Sequence, residues 1–190
     1  MTVFLIVGLP GAGKTTRARE LEAERSALRL TPDEWQMAVF DTDGPGGWRS
    51  AERAAHRDRL EGKLIEIGLR AAQLGLDVIL DFGLWGTDER SALRWMAADL
   101  GVTTEVVYLP VDLVEQRRRI STRSRSDPSQ FEMNDDELRQ WQTQFQAPDA
   151  EELRGGPIPP APPGHASWVT WASERWPSFR PWSGSSAGTQ

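Results

Sequence analysis

A stretch near the start of the chain, residues Gly8–Thr15, constrains the fold more than any other part of the sequence. It matches the pattern G-x-x-x-x-G-K-[ST] in full, in which glycines let consecutive backbone N–H groups converge on phosphate oxygens. Such a loop joins a buried strand to a helix. The apolar, β-branched run Val3–Val7 has the character of that strand. The sequence therefore predicts a strand–loop–helix unit that binds the phosphates of a nucleotide.

The loop also predicts which residues hold the nucleotide. We expect Lys14 to bring positive charge to the β and γ phosphates and the Thr15 hydroxyl to bind Mg²⁺. The chain lacks an Asn-Lys-x-Asp element for guanine, which favours ATP over GTP. The predicted nucleotide-binding residues are Gly8, Leu9, Pro10, Gly11, Ala12, Gly13, Lys14, Thr15 and Thr16.

Strand and helix patterns alternate along the rest of the chain. Strands are predicted at 3–7, 27–30, 77–81 and 104–109, with helices between them and after them. The capping-box pattern of Asn134 and Glu137 predicts one further helix start. This order is typical of an α/β fold, a three-layer α/β/α sandwich around a mostly parallel sheet. We expect the nucleotide-binding domain to span 1–153, with a lid at about 117–134.

The composition changes at Gly155, after which the chain has seven prolines and four tryptophans. We treat 154–190 as a C-terminal extension that is either partly docked or disordered. Four free tryptophans would expose a large apolar area to water, and this favours docking on the domain or on a partner.

Two aspartates are candidates for chemistry. Asp81 ends the apolar run Val78–Leu80 and is predicted to bind Mg²⁺, although it could be an ordinary aspartate at a strand end. Asp33 follows the predicted second strand, and the ends of parallel strands meet at the ligand crevice. Its carboxylate could accept the proton of an attacking hydroxyl. It could also serve only as an acid in the first turn of a helix.

Five arginines flank and enter the polar loop of the predicted lid: Arg117, Arg118, Arg119, Arg123 and Arg125. Arginines over the phosphates would neutralise charge on the transferred group. We predict this role for Arg119 and Arg123, which lie four residues apart and so share one side of a helix. A basic helix face in contact with solvent is the alternative.

The sequence gives weaker indications of the residues that bind the acceptor than of those that bind the nucleotide. Trp35, Trp48 and Trp85 could stack on a flat acceptor, or they could pack in the core. Arg90 could bind the acceptor or pair with a glutamate of its own helix.

Four segments together resemble a known family. They are Leu-Ile-Val-Gly-Leu-Pro-Gly-Ala-Gly-Lys-Thr-Thr, Thr-Pro-Asp-Glu-Trp, Val-Ile-Leu-Asp-Phe-Gly-Leu-Trp-Gly-Thr-Asp-Glu-Arg and Arg-Ile-Ser-Thr-Arg. Over about residues 2–150 the chain resembles the P-loop kinases of the branch that contains phage polynucleotide kinase, zeta toxins and chloramphenicol phosphotransferase. These are kinases with an AAA-type ATP-binding domain.

The resemblance implies a P-loop NTPase fold and assigns roles to three positions. Asp33 would be the general base, Asp81 would be the acid of the third strand, and a lid arginine at Arg123 or Arg119 would contact the donor phosphates. The chain departs from the branch in two places. The tryptophan-rich extension has no counterpart, and Asp33 lacks the second aspartate that stands beside the base in polynucleotide kinase.

The sequence thus predicts a kinase that uses ATP and Mg²⁺ to phosphorylate a hydroxyl of a small molecule, such as a nucleoside, a sugar derivative or an antibiotic. A polynucleotide 5′-hydroxyl kinase is the first alternative, disfavoured by the net charge of −6. A regulatory module that binds or slowly hydrolyses ATP is the second. Neither a signal peptide nor a membrane-spanning run is evident, so we expect a cytoplasmic location.

Overall fold

A computed structural model of the chain describes residues 1–40, 50–126 and 134–181, of which 123–126 are described by their backbone alone. The strands are β1 (Thr2–Val7), β2 (Leu28–Leu30), β3 (Val78–Gly83) and β4 (Thr103–Tyr108). The helices are α1 (Lys14–Arg25), α2 (Pro32–Phe40), α3 (Ala51–Gln73), α4 (Thr87–Asp99), α5 (Leu113–Ser126), α6 (Asp135–Gln144), α7 (Ala150–Leu153) and α8 (Trp168–Arg175). Within the described ranges, no helix has both the length and the apolar character needed to cross a bilayer.

The four described strands form one parallel sheet in the order β2-β3-β1-β4. Side chains of β1 alternate between its two faces, as the pleat requires. Phe4 and Ile6 pack with apolar residues of α1 on one face. Val3, Leu5 and Val7 pack on the other face, in the cluster that contains α3 and α4. The prediction of a three-layer α/β/α sandwich is therefore confirmed.

Two segments depart from the sequence prediction. β3 continues past Asp81 to Gly83, so this carboxylate lies within the strand and not at its last residue. α5 continues to Ser126, so residues 117–126 of the predicted lid are helical. The remainder of that lid, 127–133, lies outside the described residues.

The C-terminal extension packs against the sandwich as far as it is described, up to residue 181. Trp168, Trp176 and Phe179 are buried in the same cluster as α3 and α4. Gly62 of α3 allows this close approach, because a Cβ there would lie 2.8 Å from the backbone nitrogen of Phe179 and 3.1 Å from the Cβ of Trp176. The hydrophobic core thus runs across the predicted boundary at residue 153.

Trp176 offers a direct test of this packing. It is fully buried, and its Nε1 donates a hydrogen bond to Glu61 at 3.0 Å. We expect Trp176→Ala to lower the free energy of unfolding by about 3–5 kcal/mol, because it leaves a large cavity. Urea denaturation followed by circular dichroism measures this change.

Trp35→Ala is the matched control for that measurement, because Trp35 is 44% exposed. Its expected effect is within about 0.5 kcal/mol, as for most surface substitutions. A change of less than about 0.5 kcal/mol in Trp176→Ala as well would show that the extension does not share the core.

Candidate active site

The phosphate loop connects β1 to α1 through a backbone that favours glycine. Gly8, Gly11 and Gly13 have φ angles of 155°, 82° and 96°. At Gly8, a Cβ would also lie 2.8 Å from the carbonyl oxygen of Leu109. The Gly8 N–H donates to the carbonyl of Gly83 at 3.1 Å, which ties the loop to the end of β3. Side chains at these three positions would disturb the backbone that presents N–H groups to an anion.

A cleft of about 600 Å³ opens beside this loop. Lys14, Thr15 and Thr16 line it, and the Lys14 Nζ donates to the carbonyl of Leu9 at 3.1 Å. The other lining residues are Pro10, Gly11, Gly13, Asp33, Met37, Arg53, Arg57, Glu61, Asp81, Phe82, Gly83, Leu84, Trp85, Glu89, Trp141 and Arg175. The phosphate loop and both predicted aspartates therefore share one cleft.

Asp81 lies on β3 at the floor of the cleft. Its side chain is 3% exposed and accepts a hydrogen bond from Arg29 Nη1 at 3.3 Å. Burial raises the pKa of this carboxyl above its usual value, while Lys14 and Arg29 oppose the increase. The arginine and the lysine therefore compensate a carboxylate in the interior.

The residues at the loop suit Mg²⁺ in chemical type. Thr15 and Asp81 bring a hydroxyl and a carboxylate to the same cleft. Both are hard oxygen donors. The described residues contain no group of three or more acidic or histidine side chains that could hold a metal ion. Mg²⁺ is commonly held by one or two protein oxygens together with substrate phosphates and water, and Thr15 and Asp81 fit that mode.

Asp33 stands in the first turn of α2, where its side chain is 69% exposed. Its Oδ1 pairs with Nη1 of Arg57, which comes from α3. Arg57 also donates to the carbonyl of Phe82 at 3.0 Å and to Glu61 at 2.9 Å. The ion pair fixes the Asp33 carboxylate beside the cleft while leaving it accessible to a substrate.

Apolar side chains also line the cleft. Trp85 follows β3 and meets Trp141 of α6, with ring centroids 5.6 Å apart and planes inclined by 60°. Met37 lies one helical turn after Asp33 and also lines the cleft. Trp85 is therefore placed where stacking on an acceptor is possible.

Two predicted acceptor residues are placed elsewhere. Arg90 is fully buried, and its guanidinium pairs with Glu152 at 2.6 Å and with the carbonyl of Leu84 at 3.1 Å. The prediction that Arg90 binds the acceptor is wrong, because its charge is neutralised in the interior. Trp35 is not among the described residues that line the cleft, since it points away from the face of α2 that carries Asp33 and Met37. Trp48 lies outside the described residues.

The arginines of α5 are largely paired with acids. Arg118 and Arg119 both bind Glu115 and hold the pKa of that carboxyl at about 2, and Arg117 pairs with Asp135. Arg119 also donates to the carbonyls of Gly11 and Ala12 at 3.2 and 3.3 Å, so it stabilises the backbone of the phosphate loop. A contact between Arg119 and phosphate stays a prediction. The side chain of Arg123 lies outside the described residues.

Several residues of the cleft were not predicted from the sequence. Arg53, Arg57 and Glu61 are spaced four apart on α3, the spacing that places side chains on one helix face. In the sequence such a row of charges has the pattern of a solvated face. Arg175 and Trp141 reach the cleft only through tertiary packing, for which no local pattern exists.

Comparison with known proteins agrees with this architecture. A family model described as an AAA domain matches residues 3–148. No curated protein matches the chain at a significant level. Among solved structures, a "putative kinase" from Chloroflexus aurantiacus is 18% identical with a TM-score of 0.61, and the match covers 86% of this chain and 84% of that one.

Two further structures share the fold. A gluconokinase from Sinorhizobium meliloti 1021 is 12% identical with a TM-score of 0.52, over 79% of this chain and 78% of that one. A chain of the Pnkp1/Rnl/Hen1 RNA repair complex is 15% identical with a TM-score of 0.59, over 75% of this chain. The match spans only 43% of that longer chain. The protein thus has the fold of the P-loop kinases and belongs to the AAA domain family.

Proposed function

We propose that the protein is a kinase that transfers the γ-phosphoryl group of ATP to a hydroxyl of a small molecule. The observation that carries this proposal is the placement of Asp33 in the same cleft as the phosphate loop. A nucleotide-binding module that acts only as a switch has no need of an acceptor base at that position. The candidate acceptors remain a nucleoside, a sugar derivative or an antibiotic.

The proposed step uses the side chains of the cleft as follows. The acceptor hydroxyl gives its proton to the Asp33 carboxylate while its oxygen forms a bond to the γ phosphorus. The bond between the γ phosphorus and the bridging β–γ oxygen breaks, and ADP leaves. Lys14 and the N–H groups of the loop offset the negative charge on the phosphates. Mg²⁺, held by Thr15 and Asp81, would supply further charge neutralisation on the β and γ phosphates.

The charge of the cleft favours a small acceptor over a polynucleotide. Among the described lining residues, the basic side chains are Lys14, Arg53, Arg57 and Arg175, and the acidic ones are Asp33, Glu61, Asp81 and Glu89. The four cations are matched by four anions. A groove that follows a nucleic acid backbone is expected to carry an excess of positive charge.

The size and the apolar wall of the cleft also favour a small acceptor. A volume of about 600 Å³ lies in the range of small-molecule sites. Trp85, Trp141 and Met37 can cover one face of a compact acceptor, and a flat ring would stack there. A cytoplasmic location, as expected from the sequence, is part of the same proposal.

Asp33→Asn tests the proposed base. The amide keeps the shape of the side chain but cannot accept the acceptor proton, so we expect acceptor-dependent turnover to fall by about 10²–10⁴-fold. Turnover is measured as ADP release with Mg·ATP and a panel of nucleosides, sugars, aminoglycosides and other hydroxyl compounds. A 5′-hydroxyl oligonucleotide at low salt completes the panel.

The matched control for Asp33→Asn is Asp99→Asn, at the end of α4 and not among the described residues that line the cleft. It should keep full turnover. Full turnover in Asp33→Asn would remove the base assignment. If only the oligonucleotide raised ADP release, the protein would be a polynucleotide kinase instead. Slow ATP hydrolysis that no acceptor changes would favour the regulatory module.

Lys14→Met tests the donor half of the site. Loss of this charge should weaken ATP binding and lower turnover by on the order of 10²-fold or more. Isothermal titration calorimetry with ATP and Mg²⁺ measures the affinity. Lys63 is the only other lysine of the chain and pairs with Glu66 on α3, so Lys63→Met is the control. Equal ATP affinity in both variants would contradict the predicted role of Lys14.

A further inference from the structure

Helix α8 places a cation, Arg175, in the part of the cleft that contains Glu61 and Glu89, which we call the acceptor end. Its Nε donates to Glu89 at 2.9 Å and its Nη1 donates to Asp58 at 2.6 Å. Its Nη2 lies 2.8 Å from Glu89 and 3.7 Å from Glu61. All three nitrogens thus face carboxylates of α3 and α4. Arg175 is therefore placed where it can act through these neighbours.

Glu61 is the group that connects Arg175 to the rest of the cleft. Its side chain is 6% exposed, and burial raises the pKa of its carboxyl above the usual value, while Arg57 and Arg175 oppose this increase. It accepts hydrogen bonds from Arg57 Nε at 2.9 Å and from Trp176 Nε1 at 3.0 Å. A buried carboxylate stays ionised only with such partners, and two of the three come from the C-terminal extension.

Arg57 continues the connection from Glu61 to the proposed base. One edge of its guanidinium binds Glu61, and its other two nitrogens bind Asp33 and the carbonyl of Phe82. Burial by itself would lower the pKa of Arg57, but the two carboxylates raise it above its usual value. The guanidinium is therefore charged and held at three points.

We propose that Arg175 is a positioning residue for phosphoryl transfer, acting through Glu61 and Arg57 to hold Asp33 at the acceptor side of the cleft. The proposal rests on the proposed role of Asp33 as base. The family match ends at residue 148, so this contribution comes from outside the part of the chain that the family defines. The C-terminal extension is then a part of the acceptor site as well as of the core.

Physical reasons link Arg175 to the position of Asp33. Without Arg175, the buried carboxylate of Glu61 would lose one of its two cations. Glu61 would then attract the Arg57 guanidinium more strongly, and Arg57 would move towards Glu61 and away from Asp33. A displacement of a catalytic group by about 1 Å can lower the rate by on the order of 10²-fold.

The first test compares Arg175→Met with wild type, using the panel acceptor that gives the highest turnover. We expect kcat with that acceptor to fall by on the order of 10–10²-fold, while the KM for ATP stays within about twofold. Arg175→Lys should restore part of kcat, because a lysine keeps the charge but not the fork of donors. Arg139→Met is the control, since it removes an arginine from an exposed ion pair with Asp136. A folded Arg175→Met protein with the kcat of wild type would overturn the proposal.

The second test separates positioning from general damage to the fold. When Asp33 is already replaced by asparagine, Arg175→Met should lower the residual turnover by less than about twofold, because both changes act on the same group. A full further loss in the double variant would overturn the proposal. If Arg175→Met does not fold, Arg175→Gln replaces it in both tests. That variant keeps amide donors on the side of Glu89 and Asp58 but removes the positive charge.

A third measurement does not depend on kinase activity. In ¹⁵N-labelled protein, the Nε–Hε signal of Arg57 is assigned by its disappearance in Arg57→Lys. We expect its hydrogen exchange with water to be faster by on the order of tenfold in Arg175→Met and unchanged in Arg139→Met. Unchanged exchange in Arg175→Met would overturn the positioning of Arg57. If Asp33→Asn keeps full turnover, the proposed role of Asp33 as base fails, while this exchange still shows whether Arg175 holds Arg57.

Discussion

The pairing of β1 between β3 and β4 is the constraint on which every part of the candidate site depends. All four described strands run parallel, so their carboxyl ends meet at one edge of the sheet. Backbone hydrogen bonds continue past the strands, from Gly8 to Gly83 and from Leu109 to Val7. The phosphate loop, the Asp81 carboxylate and the start of α2 therefore meet without any long connecting loop.

Pairing of opposite charges is the second organising interaction. Arg29 has a side chain only 9% exposed, and it contacts Glu22, Glu34 and Asp81. It thereby links the ends of β2 and β3 to α1 and α2. Arg57 does the same for α2, α3 and β3. Because buried ions are costly without partners, these pairs restrict where each charged side chain can lie. Arg57, Asp33 and Asp81 line the cleft, so these ion pairs form part of its walls.

Short sequence patterns were sufficient to predict the elements whose structure depends on residues close together in the chain. The phosphate loop, the parallel sheet and the helix that starts at Asn134 follow from short patterns, and the capping box at Asn134 is formed as predicted. The acceptor end could not be predicted in this way. Trp176 and Glu61 are 115 residues apart in the chain. The interior position of Arg90 was also hidden, because arginines are rarely buried and a sequence gives no sign of the exception.

The ion pair between Arg90 and Glu152 has a consequence for the size of the folding unit. Arg90 is fully buried and belongs to α4, whereas Glu152 belongs to α7, beyond residue 148 where the family match ends. A fragment cut at the family boundary would retain a guanidinium in an apolar interior without its carboxylate, a defect that typically costs about 3–5 kcal/mol. A shortened version that keeps α7 is therefore expected to be more stable than one cut at residue 148.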